Sequence, residues 1–357
     1  MIALVFCGDL KYCPYIKRYL ERLDLKKVEY KVYFWNRGGF ELNLPENYIF
    51  FDSYSKLKKN HLSKLIDFLK FRRWLLKKLK QENPKKIIAL STLSALILGR
   101  FLYTKTKSYI FDIRDYSYEH IKFVYKMEEK IIKNSFFTAI SSKGFKNFLP
   151  VHKYIIAHNF NRSELQEKPE FIPTDGKINF VWNGAMRYFS FQTQYLKALK
   201  NDERFQIIYH GDGPEFEEFK VFCKNNNIHN VVFTGSYNNA DKAKLLQNAH
   251  ILNNAYGHLK ESVYDNIVKY AVSNRFYDGL NFHIPQVVEP TGYKREWVEK
   301  EKIGVSFFPD DFFADKLYNY YKSIDAEKFN DSCNRVLKEV VDEDDEYVKK
   351  IDEFVSG

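Results

Sequence analysis

Residues 273–289 read SNRFYDGLNFHIPQVVE, with an acid seven residues before a proline that opens an apolar run. Ser273 or Asn274 suits the N-cap of a helix whose first turn contains Arg275. Free amide N–H groups at that start, the positive end of the helix dipole and the guanidinium would together attract a diphosphate. One turn on, Asp278 offers a carboxylate that accepts bidentately from a vicinal diol such as a ribose. The same spacing also suits a solvated aspartate on an amphipathic helix.

Similar loops recur. In FVWNGAMRYFSFQTQYLKAL (180–199), Gly184 lets the backbone approach a ligand and Arg187 would reach a phosphate near a helix start. An ordinary turn with a solvent-facing arginine reads the same way. In IIYHGDGPEFEEF (207–219), Gly211 and Gly213 end a buried strand and Pro214 opens a helix. In FTGSYNNADKAKLL (233–246), Tyr237 would stack on a base or simply be exposed. In the first half, Asp115 and His120 in SYIFDIRDYSYEH (108–120) are candidates to position an acceptor or act as general base. Arg114 is expected to keep Asp115 ionised, and Asp9 is a third acid in the first loop.

The elements that must carry these loops alternate regularly. IALVF (2–6), KVYFW (31–35), KIIAL (86–90), SYIFD (108–112), FFTAI (136–140) and YIIA (154–157) read as strands between helical stretches. SELQEKPEFIPTDGK (163–177) breaks the pattern with two prolines and a glycine. INFVW (178–182), FQIIYH (205–210), NVVF (230–233), HILNN (250–254), PQVV (285–288) and GVSFF (304–308) then restart it. The expectation is α/β, with two Rossmann-like doubly wound domains facing a cleft at their strand ends. Residues 1–165 form the first, 166–177 the linker, 178–325 the second, and 326–357 closing helices that pack back on the first.

In this order the loops resemble the donor-binding domain of GT-B glycosyltransferases, particularly the retaining family 4. There a helix reading roughly N-K-L-x-E-x-x-A-x-G-x-P-V-I precedes a core strand, and its Glu holds the donor ribose. Asp278 stands in that position and Arg275 replaces the lysine. The first half agrees: SYIFDIRDYSYEH resembles the acceptor-side loop, EEKIIKNSFFTAISSKGFKNFL (128–149) the helix–strand–Ser–helix unit, and IIAHNFNR (155–162) the lead into the linker. Three positions depart from the pattern. Tyr270 stands where the first acid of the paired-glutamate motif would be, Gln192 where a lysine often follows the phosphate arginine, and Gly8 alone represents the first-loop diglycine. The resemblance implies a metal-independent enzyme without cofactor, transferring a sugar from a UDP-linked donor to a lipid-linked or cell-surface glycan. In this reading Gly184, Arg187, Ser273, Asn274 and Arg275 hold the phosphates, and Gly211, Gly213, Tyr237 and Asp278 the nucleoside. A GT-B sugar-nucleotide epimerase is the alternative enzyme.

Composition bounds the rest. The 357 residues are 45% hydrophobic and carry a formal charge of +10, which favours a polyanionic partner. No RNP, KH or zinc pattern supports nucleic acid as that partner. The four cysteines show no pairing and read as free thiols in a reducing compartment. MIALVFCGDLKYC does not read as a secretory signal, and no run approaches the ~18–20 apolar residues of a membrane span. The only Asp-x-Asp match, Asp342-Glu343-Asp344, reads as a solvated helix face. YSKLKKNHLSKLIDFLKFRRWLLKKLK (54–80) reads as a basic amphipathic helix, with Leu62, Leu65, Ile66, Leu69, Trp74 and Leu76 as its stripe. Lys70, Arg72, Arg73, Trp74, Lys77 and Lys78 would face an anionic membrane, although a lysine-rich solvated face fits as well. The expected location is the cytoplasm of a bacterium, peripheral on the inner face of the cell membrane.

Overall fold

The computed structural model describes residues 1–55, 61–165, 169–257 and 265–357. The chain forms two compact units, Met1–His158 with Glu343–Gly357, and Asn159–Asp342. In the first, β1 (Ile2–Phe6), β2 (Tyr30–Asn36), β3 (Tyr48–Asp52), β4 (Lys86–Leu90), β5 (Tyr109–Ile113), β6 (Phe137–Ile140) and β7 (Ile155–Ile156) form one parallel sheet. Its order is β3-β2-β1-β4-β5-β6-β7. In the second, β8 (Ile178–Asn183), β9 (Phe205–His210), β10 (Val231–Gly235), β11 (Ile251–Asn253), β12 (Gln286–Val287) and β13 (Gly304–Val305) are ordered β10-β9-β8-β11-β12-β13, again parallel.

Helices on both faces explain why β1 is an uninterrupted apolar run and why β1 and β5 are buried at every residue, Asp112 of β5 included. Each expected strand is present. The strand not anticipated, β3, is an edge strand whose short run YIFF is only partly buried. Strand order reverses between β1 and β4 and again between β8 and β11, which opens a crevice above the carboxyl ends at each point.

The C-terminal stretch is one helix, Ala326–Ser356. Phe329, Cys333, Val336 and Val340 enter the core of the second unit; Tyr347, Ile351, Phe354 and Val355 enter that of the first. The acidic triplet on this helix is not the solvated face it resembles. Asp342 is exposed and pairs with Lys338, but Asp344 is buried against Arg18 at 3.2 Å. Glu343 bridges Lys143 at 2.8 Å and His158 at 2.7 Å.

The basic helix runs His61–Glu82, and its buried stripe differs from the expected one. Phe71, Leu75 and Leu79 are fully buried, while Leu65, Ile66 and Leu69 are 46–54% exposed. Asp67 lies on the buried side and accepts a 2.7 Å hydrogen bond from the Ser55 hydroxyl. The reason is aromatic packing. Phe71 stacks on Trp35 at 5.5 Å, and Trp74 is half-buried against Phe51 at 5.6 Å. Lys70, Arg72, Arg73 and Lys77 are exposed, Lys78 is half-buried, and Arg72 donates to the Ile97 carbonyl at 2.9 Å. The membrane-facing residues read from sequence therefore include one, Trp74, that the sheet partly covers. Residues 56–60, with three of the lysines of this basic stretch, lie outside the described residues.

Candidate active site

At the carboxyl ends of the second sheet, the loops after β8 and β9 are tied backbone to backbone. Gly184 N–H donates to the His210 carbonyl at 2.8 Å, Met186 N–H to Asp212 at 3.0 Å, and Gly211 N–H to Gly235 at 2.9 Å. Two of the expected ligand glycines are explained by this crossing. A Cβ on Gly211 would lie 2.1 Å from the Gly184 oxygen, and one on Gly213 2.6 Å from the Met186 oxygen. Gly184 is different: φ is +116° and the space where a Cβ would stand is open.

The helix from the opening segment is Asn274–Asn281, with Ser273 at its N-cap. The Ser273 side chain does not cap it, because its hydroxyl donates to Asn254 Oδ1 at 2.7 Å. The first amide groups thus have no side-chain acceptor from their own cap. Arg275 lies flat on Trp182, 3.3 Å above the ring, and donates to the Asn253 carbonyl at 3.0 Å. Among the described residues no carboxylate forms an ion pair with it. Desolvation draws its pKa down to about 10, so it remains a cation at neutral pH, poised for an anion. Arg187 is exposed. Burial raises the Tyr188 pKa, and Arg187 and Arg275 both oppose that rise.

Asp278 is not a solvated aspartate; it is 3% exposed. It accepts from Asn183 Nδ2 at 2.7 Å and from Lys242 Nζ at 3.1 Å. Lys242 also bridges to Glu164 at 2.5 Å. Burial raises the Asp278 pKa, against the opposing effect of Lys242 and Asn183. Half-buried Tyr237 points its hydroxyl into this group, near Asn183 and Asp278, so it is neither a free stacking ring nor a solvated one. Lys242 and Glu164 were not recognised in the sequence. Lys242 sits in the quoted loop 233–246, but nothing local marks it as the partner of an acid 36 residues away.

A second buried pair stands nearby. Glu289, just past β12, holds Lys294 at 2.7 Å, both essentially unexposed. Lys294 also donates to the Asn254 carbonyl at 2.6 Å and lies 3.7 Å over Tyr256, which stacks on Tyr188 at 5.4 Å. Burial lowers the Lys294 pKa to about 8, with Glu289 opposing. Gln192, standing where a lysine was sought, is a core residue bonded to Asn253 and to the Ala255 carbonyl.

The first unit arranges its candidates differently. Arg114 is buried in a fork on Asp112, at 2.6 and 2.9 Å, and donates to the Ala157 carbonyl at 2.7 Å. Tyr19 completes that group through a 2.7 Å bond to Asp112. Arg114 is therefore committed to Asp112, and the protein crowded around the Asp115 carboxyl raises its pKa although the residue keeps an open surface, with Arg114 only opposing. This corrects the expectation that Arg114 serves Asp115. The Asp115 side chain is exposed at the end of β5; His120 is exposed and stacks on Tyr116 at 6.2 Å. Asp9 accepts from the Gly38 N–H at 2.9 Å and so fastens the loop after β2. No hydrogen bond or ion pair joins Asp9, Asp115 and His120 to one another among the described residues.

Comparison with known proteins bears on the fold. No protein-family model matches the chain, and no curated protein matches it in sequence. Solved structures do. HepE of Anabaena in complex with UDP superposes with a TM-score of 0.68 at 13% identity, over 99% of this chain and 100% of that one. The lipopolysaccharide outer core galactosyltransferase WaaB gives 0.59 at 15% identity, over 94% and 95%. Sucrose-phosphate synthase from Thermosynechococcus elongatus gives 0.61 at 13% identity, over 99% and 94%. The chain thus has the α/β fold of GT-B glycosyltransferases, two Rossmann-like units with parallel sheets of seven and six strands.

Proposed function

We propose that this protein is a metal-independent glycosyltransferase that moves a sugar from a UDP-linked donor to a lipid-linked or cell-surface glycan, with retention. The carrying observation is the buried guanidinium of Arg275, held on Trp182 at the start of the Asn274–Asn281 helix without a carboxylate partner among the described residues, with Arg187 exposed on the loop after β8. Departure of a nucleoside diphosphate leaves charge on its terminal phosphate, and preorganised cations stabilise that charge most when it develops. Arg187, Arg275 and the amides from Ser273 and Asn274 onward take the pyrophosphate, with Gly184 leaving room beside it. Asp278 takes the ribose diol, which requires Lys242 to share or yield the carboxylate. Tyr237, Gly211 and Gly213 border the base. Neighbours with the same fold are described with UDP or UDP-glucose bound, which supports this donor class.

The acceptor is assigned to Asp9, Asp115 and His120. With retention, the acceptor hydroxyl attacks the face from which the phosphate leaves, and a phosphate oxygen takes its proton. The basic helix His61–Glu82 attaches the enzyme to an anionic membrane at the inner face of the cell membrane, through Leu65, Ile66 and Leu69 with Lys70, Arg73 and Lys77 around them. No helix among the described residues is long and apolar enough to cross a membrane.

Calorimetric titration with UDP, UDP-sugars, GDP-sugars and an oligonucleotide tests the reading, followed by product detection with EDTA present. Binding of UDP compounds and transfer that survives chelation are expected. Binding of the oligonucleotide alone would overturn the proposal.

A further inference from the structure

Behind the loop that carries Asp115 and His120, two glutamates are buried together. Glu128, on the helix Lys122–Asn134, has no exposure, and Glu119, in the loop, has 6%. Both meet at the buried hydroxyl of Thr92, which donates to Glu128 Oε1 at 3.4 Å and also acts on Glu119. Glu119 Oε1 and Glu128 Oε2 have no hydrogen-bond partner among the described residues. Two charged carboxylates are strongly disfavoured in such a place, because no cationic side chain forms an ion pair with either among the described residues.

We propose that Glu119 and Glu128 carry a single proton between them and that this proton latches the 115–121 loop, making Glu128 a positioning residue for Asp115 and His120. The roles of Asp115 and His120 rest on the transferase reading; the latch itself does not.

The surroundings decide where the proton resides. Burial raises the pKa of Glu119 as well, but the Ser117 N–H that it accepts at 2.5 Å and the nearby His120 both oppose that rise, and Glu128 has no such backbone donor. Glu119 therefore holds the negative charge, and its bond to Ser117 closes the turn of the loop. Glu128 is acted on only by burial and by Glu119, which raise its pKa to about 8, and by Thr92, which opposes them. Tyr154, from the segment before β7, is kept a neutral phenol by burial and by Glu128, with Tyr125 of the Glu128 helix acting in the same direction. At neutral pH Glu128 is thus the acid and Glu119 the carboxylate. Raising the pH sends the proton to solvent and leaves two facing charges, and the loop, which has the shallower carboxylate, is the part that gives way.

The sign follows from linkage. A carboxyl whose folded pKa lies above its unfolded value favours the fold fully below the unfolded value, and that contribution is lost as pH rises to the folded one. The melting temperature of the wild type should therefore fall, relative to Glu128→Gln, between pH 5 and 8 and then run parallel to it. Glutamine imitates the neutral acid, so the variant is expected to fold. Hydrogen exchange of amides 115–121 provides the readout that a merely structural role would not move. After correction for the base catalysis of intrinsic exchange, the protection of these amides should fall about tenfold or more above pH 8 in the wild type and stay constant in Glu128→Gln. Thr92→Val, which removes the shared hydroxyl, should shift the wild-type transition along the pH axis without abolishing it. Parallel melting curves throughout, or loop exchange with the same pH dependence in both proteins, would overturn the latch. So would a rise in melting temperature with calcium or manganese that Glu128→Gln abolishes, since the pair would then hold a metal ion. Absence of glycosyl transfer, by contrast, would remove the roles of Asp115 and His120 and leave the latch standing.

Discussion

At the end of β8, Asn183, Asp278, Lys242 and Tyr237 form one connected group, and Arg275 lies one turn before Asp278 on the same helix. At the end of β5, Asp115 and His120 stand exposed and unlinked, while the strong ion pair of that region, Asp112 with Arg114, is buried beneath them. Both places lie at the carboxyl ends of parallel strands, yet they have solved different problems. The second unit holds its polar groups rigid before any ligand arrives, which is what fixed charges need in order to stabilise an anion. The first spends its rigid ion pair on its own core and leaves the reactive side chains on a loop, held from behind by a carboxyl pair. Preorganisation is thus concentrated on the side assigned to the donor.

This comparison can be broken by mutation. The largest effect is expected for Arg275→Ala, which should lower kcat about 10²-fold and raise the donor KM. Steady-state kinetics with varied donor would show this, and unchanged values would sink the assignment. Because burial lowers the Arg275 pKa only to about 10, the guanidinium stays charged and UDP affinity should be level from pH 7.5 to 9 by calorimetry. Next, Asp278→Asn should weaken UDP about tenfold by calorimetry, the range of a hydrogen bond to a charged group. Dideoxy-UDP should bind the variant and the wild type alike. Asp115→Asn should instead lower kcat and leave the UDP affinity untouched. Equal losses of donor affinity at both positions would erase the division between the units. The smallest effect is expected from Leu65→Glu with Leu69→Glu, which should reduce flotation on anionic liposomes several-fold without changing UDP binding.

The fold was legible because its strands are apolar runs punctuated by glycine and proline. At an edge, β3 carries the same kind of run, YIFF, but a short one closed by an acid and only partly buried. The site was legible where one element carries the chemistry: Arg275 and Asp278 lie one turn apart on a single helix after Ser273. It was illegible where distant elements meet. Lys242 reaches Asp278 across 36 residues, and Arg114 turns to Asp112 rather than Asp115 because the carboxylate two residues back is the buried one. The stripe of the basic helix was misread because Trp35 and Phe51, on neighbouring strands, decide which face is covered. Spacing within a helix contains no record of those partners.

A structure of the protein with UDP bound tests the central claim most directly. The pyrophosphate oxygens should lie within hydrogen-bonding distance of the Arg187 and Arg275 guanidinium groups, with the ribose hydroxyls on Asp278 and Lys242 drawn aside or sharing the carboxylate. A nucleotide seated elsewhere, with the Lys242–Asp278 bond intact and Arg275 still bonded only to the Asn253 carbonyl, would contradict it.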